Sequence, residues 1–68
     1  MTLSPGELLK EATVAHFQAE KRKSQAVLAV YFENPVGIGE HSDLLEETVK
    51  HVEALANATD CLEALEQL

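Results

Sequence analysis

Sixty-eight residues with one cysteine, Cys61, confine this chain to a single small domain, exclude an internal disulfide and leave a core that is marginal on its own. The formal charge of -7 is lopsided. Lys10, Lys21, Arg22 and Lys23 balance Glu7, Glu11, Glu20 and Glu33 in the first half, whereas downstream Lys50 alone faces Glu40, Asp43, Glu46, Glu47, Glu53, Asp60, Glu63 and Glu66, which argues against nucleic acid as a partner.

Ser4-Pro5-Gly6-Glu7 has the chemistry of a helix start. Serine serves as N-cap, proline takes the first position where its missing N–H costs nothing, and glutamate closes the capping box. No breaker follows until Asn34-Pro35, because proline cannot continue the ladder and disfavours helical geometry in the residue before it. The expected first helix is therefore 5–33, roughly 43 Å long.

Along it, Leu9, Ala12, His16, Ala19, Lys23, Ala26 and Val30 recur at a three-four rhythm. Ala12, Ala19 and Ala26 repeat every seven residues and would let a neighbouring helix approach closely, so this face is the expected hairpin core. A second apolar strip carries Val14, Phe17, Leu28 and Phe32. The end of the helix, Ala26-Val27-Leu28-Ala29-Val30-Tyr31-Phe32, points apolar side chains all round its axis, which one neighbour cannot cover. Val14, Phe17, Val27, Leu28, Val30, Tyr31 and Phe32 are therefore the expected interface with a second chain. The same run read as a strand has no second strand to pair with in one chain, which would leave its backbone groups unsatisfied.

Asn34-Pro35-Val36-Gly37-Ile38-Gly39-Glu40-His41 is turn chemistry, with Asn34, Pro35, Gly37 and Gly39 as its breakers, and 34–41 is the expected reversal. Ser42 caps the next helix in this reading, and Asp43 sits at the positive end of its dipole. Nothing interrupts it, so the second helix is expected over 43–67. Leu44, Thr48, His51, Leu55, Ala58, Leu62 and Leu65 form its inward stripe, widened by Leu45, Val49, Val52 and Ala56. Two helices of similar length and a short turn predict an all-α fold, one antiparallel hairpin domain spanning 1–68. A symmetric dimer would close it into a four-helix bundle.

Candidate chemistry is sparse. Reflecting the chain about the turn puts His16 near Thr59 and His51 near Ser24, so His16, His41 and His51 do not converge within one chain. Glu47 and His51 share a helical face, but a pair supplies too few ligands for a metal, and no metal or other cofactor is expected. His16 on the small-residue stripe reads as a buried or interface histidine able to make association pH-sensitive. Glu40-His41-Ser42-Asp43 holds triad residue types, yet consecutive side chains diverge. Gly37-Ile38-Gly39 lacks the strand, third glycine and lysine of a phosphate loop. Reflection also brings Glu53 to the Lys21-Arg22-Lys23 cluster as a cross-helix charge pair. Cys61 has no basic neighbour to lower its pKa and reads as an ordinary thiol.

The segment from Tyr31 through Asn34-Pro35-Val36-Gly37-Ile38-Gly39-Glu40-His41-Ser42-Asp43, with the acidic leucine-bearing helix after it, resembles short uncharacterised proteins encoded by tailed bacteriophages, marine ones in particular. The likeness covers about half the chain. It implies a viral product in a bacterial cytoplasm or in a virion, and carries over no activity and no catalytic residue.

The chain starts without the basic and apolar regions of a signal peptide, and its longest apolar run is too short to cross a bilayer, so a cytoplasmic protein without a membrane partner is expected. The reading that follows is a non-enzymatic protein acting through self-association, a dimer favoured, and contact with a host or viral protein. One alternative is an acidic adaptor or inhibitor that occupies a basic surface of a host protein. Another is a metal or hydrolytic site built between subunits from His16, His51 and Glu47.

Overall fold

Residues 2–33 and 43–68 are described by a computed structural model of the chain. Two helices account for nearly all of them: α1, Pro5–Glu33, and α2, Leu44–Glu66. They pack along each other as a hairpin measuring 51 × 21 × 17 Å. The expected reversal at 34–41, with Asn34, Pro35, Gly37 and Gly39, lies outside the described residues, as does Ser42.

The start of α1 follows the capping-box expectation. The Glu7 N–H donates to Ser4 Oγ at 3.2 Å, and the Ser4 N–H donates to Glu7 Oε1 at 3.4 Å. Helix α2 begins one residue later than expected, and the side chain that caps it is that of Asp43 rather than Ser42. Asp43 has extended backbone (φ -74°, ψ 96°) and its Oδ1 accepts from the Glu46 N–H at 3.0 Å. A carboxylate at that position both satisfies a free N–H and meets the positive end of the helix dipole. Replacing Ser4 or Asp43 by alanine is expected to lower the unfolding free energy by about 1 kcal/mol each, read as a shift of the urea midpoint at unchanged slope. No change at either position would remove the caps from the account of helix boundaries.

The faces of α1 are the reverse of the sequence expectation. Val14, Phe17, Lys21, Ser24, Leu28 and Tyr31 form the seam toward α2, all buried or half-buried, with Ser24 and Leu28 the most enclosed. Their spacing of three and four keeps one face turned to the neighbour, as in a coiled coil. Leu9, Ala12, Ala19 and Ala26, the expected core, are all exposed and lie on the far side of α1, with Leu9 at 70%. Val14, Phe17, Leu28 and Tyr31, expected between chains, are used within one chain. Burial scales with apolar area, so the strip of valine, phenylalanine, leucine and tyrosine outcompetes an alanine stripe for the leucines of α2. Of the expected inter-chain residues, Val30 and Phe32 stay exposed and Val27 is half-buried.

On α2 the inward stripe is as expected. Leu44, Thr48, His51, Leu55, Leu62 and Leu65 are half-buried and Ala58 is only 1% exposed. Leu45, Val49, Val52 and Ala56 do not widen it; they are exposed.

The register also differs from a simple reflection. The rings of Tyr31 and His51 meet edge-on with centroids 5.8 Å apart. One heptad back along α1 and one on along α2, the buried Ser24 and Ala58 fall opposite each other. Two small side chains at that level allow the backbones to come close. The same step repeated sets Phe17 beside Leu65. The helices are thus staggered: the first two turns of α1 overhang the end of α2, which is why Leu8 and Leu9 have no cover, and the first turn of α2 projects past Glu33.

Candidate functional site

The polar side chains that carry chemistry are spread along this rod. His51 Nε2 lies 3.8 Å from Glu47 Oε2, the expected four-residue pair. Tyr31 stacks edge-on against His51 from the other helix, so Tyr31, His51 and Glu47 form one polar cluster near the turn end. His16 sits about 22 Å further along α1, fifteen residues from Tyr31. It is exposed on the face turned away from α2 and packs its edge on the adjacent Phe17, with centroids 4.9 Å apart. The expected neighbours of the histidines therefore change: His51 stands beside Tyr31, not Ser24, and His16 is not packed against Thr59 or buried. His41 lies outside the described residues. Among the described residues no three His, Cys, Asp or Glu side chains gather as a metal site would need.

Charge pairing across the hairpin also departs from expectation. Glu53 is exposed on the outer face of α2, one heptad from Glu46 and Asp60, and is not near Lys21-Arg22-Lys23. Among the described residues no lysine or arginine closes to 4.0 Å of a carboxylate. Cys61 is half-buried with its Sγ 3.9 Å from Asn57 Oδ1.

An open groove of about 570 Å³ runs along one flank between the helices, lined by Lys10, Val14, Gln18 and Lys21 from α1 and by Thr59, Leu62, Glu63, Leu65 and Glu66 from α2. A smaller recess continues it at Gln18, Lys21, Arg22, Gln25 and Leu62. Val14, Leu62 and Leu65 supply apolar lining, but none of the polar residues along the groove is buried and they do not converge on one point, which is not the build of a small-molecule site.

The groove is nevertheless informative because it shows which residues share a flank. Gln18 and Gln25 lie on it from α1; one heptad on is Phe32. Thr59 and Glu66 lie on it from α2; one and two heptads back are Val52 and Leu45, and two heptads back from Glu63 is Val49. These four apolar residues are 65% (Phe32), 74% (Leu45), 46% (Val49) and 46% (Val52) exposed. The turn end of this flank is thus apolar while its open end carries charge of both signs. Sequence periodicity showed Leu45, Val49 and Val52 as apolar but assigned them to the core. Their offset from the inward stripe was the available signal.

No family model, no curated protein and no solved structure matches the chain. No helix of the described residues is long and apolar enough to cross a membrane.

Proposed function

We propose that this chain works without enzymatic chemistry, through contact with other protein chains and first of all with copies of itself, as a helical bundle. The observation that carries this reading is the thinness of the core. Among the described hydrophobic residues only Leu28 and Ala58 are buried, while Phe32, Leu45, Val49, Val52, Leu9 and Val30 remain largely open to solvent. A two-helix hairpin with so little buried gains stability chiefly by covering that surface with another molecule. The likeness of the turn segment to phage-encoded proteins supports a bacterial cytoplasm or a virion as the setting.

Light scattering coupled to size exclusion at micromolar concentration is expected to give a multiple of the 7.4 kDa chain mass, twice that value for the favoured dimer. A helical, cooperatively unfolding monomer under those conditions would remove the basis of the reading.

A second reading rests on a separate feature, the outer ridge of α2, where Glu46, Glu53 and Asp60 recur at heptad spacing and all are exposed. Such a ridge suits a basic protein surface, and its attraction would be screened by salt. Capture of the same bacterial partner at low and at high salt speaks against this ridge as the contact; capture lost at high salt and in Glu53→Lys supports it.

A further inference from the structure

The flank that carries Phe32, Leu45, Val49 and Val52 has the pattern of a self-complementary surface. Its turn end is apolar, continued by Ala29 and Ala56, which are each one heptad from residues lining the groove or its recess, Arg22 and Glu63. Toward its open end α1 contributes Lys10, Lys21 and Arg22, whereas α2 contributes Glu63 and Glu66. Glu7 and Glu11 line a further recess with Lys10 and Val14 on the part of α1 that overhangs α2, so the basic character of this flank rests on Lys21 and Arg22.

Two hairpins stacked face to face on this flank can be related by a two-fold axis along the helices or across them. An axis across the helices turns one copy end over end and lays the apolar end of each on the charged end of the other. It also sets α1 on α1, so that Lys21 and Arg22 meet no acidic partner helix. An axis along the helices brings the two apolar ends together and lays each α1 over the partner's α2, where Lys21 and Arg22 come within about one helical turn of the level of the partner's Glu63. Both the apolar and the charged halves match only in the second arrangement.

Resting on the self-association reading above, we propose that a second copy of this chain docks on the flank of Phe32, Leu45, Val49 and Val52, pointing the same way, with each α1 over the partner's α2. The result is a four-helix bundle in which every adjacent pair of helices is antiparallel. The alanine stripe of α1 faces solvent in this assembly.

Sedimentation equilibrium of Val52→Asp tests the flank. The substitution sets a charge without a partner into the interface and is expected to raise the dimer dissociation constant at least about 100-fold. Because Val52 is half exposed in the single chain, helix content by circular dichroism is expected to match the wild type at protein concentrations where both are dimeric. Ala19→Asp, on the far side of α1, is expected to leave the constant unchanged. Nitroxide labels at Glu11→Cys, in a Cys61→Ser background, read the direction: within about 25 Å of each other for copies that point the same way, beyond about 35 Å for copies turned end over end. A dimer indifferent to Val52→Asp and to Leu45→Asp, but broken by Ala19→Asp or Leu9→Asp, overturns this flank and leaves self-association standing. A long label distance overturns the arrangement alone. A monomeric wild-type chain overturns both.

Discussion

Leu28→Ala is expected to cost about 3 kcal/mol of unfolding free energy. Leu28 is 6% exposed and is the single large aliphatic side chain buried among the described residues. Truncation removes the transfer free energy of three carbons and leaves a gap that α2 can fill only by shifting along or toward α1. In a large domain such a loss is a fraction of the whole. Here the hairpin has few other enclosed side chains, and total stability of a chain this size is only a few kcal/mol. Circular dichroism at 222 nm should therefore show much of the helix lost at 25 °C and low protein concentration. If assembly supplies part of the stability, helix returns as concentration rises, because association favours the folded form by mass action. A variant that melts within a few degrees of the wild type, independent of concentration, would mean that the seam through Leu28 is not what holds the helices together.

How far the fold could be read from the residues divides by the type of signal. Helix ends were legible because their signals are local: Ser4-Pro5-Gly6-Glu7 start α1, and Asn34-Pro35 cannot extend it, so the expected 5–33 is Pro5–Glu33. Asp43 displaced Ser42 as the cap by one position, the kind of shift two adjacent capping residues permit. The inward stripe of α2 was legible because leucines mark it. On α1 two stripes compete: close approach favours the alanines, whereas buried area, the quantity that decides, favours the stripe through Phe17 and Leu28.

Register was harder still. The α2 stripe repeats every seven residues, so sliding one heptad leaves the pattern intact, and the turn length alone could not choose. The structure differs from the simple reflection by just such a step in the pairing: His51 sits beside Tyr31 rather than Ser24. The pairing of small with small, Ser24 opposite Ala58, discriminates between steps, and nothing in either helix alone announces it. For the candidate surface the same holds. Leu45, Val49 and Val52 were visible as apolar residues, but that they share a flank with Phe32 depends on the register and on which α1 face turns inward.

If that small-residue pair does set the register, enlarging it must be costly. Ala58→Leu is expected to destabilise the hairpin by about 2–3 kcal/mol. The opposite effect is what propensity and hydrophobicity alone predict, since leucine is a good helix former and more apolar than alanine. Ala58 is 1% exposed and faces Ser24 at 3%, so an added isobutyl group has no room unless the backbones part. Parting them exposes Leu28 and Leu55 at the next level toward the turn, and sliding by a heptad to avoid the clash brings Ser24 against Leu65 or His51. Either response forfeits contacts along the whole seam. Ser24→Ala, which keeps the size, is expected to be within about 1 kcal/mol of the wild type or above it. Chemical denaturation of the two variants side by side separates volume from polarity: a stabilised Ala58→Leu would show that the helices are not held close at this level, and that some other pair of residues chooses the register.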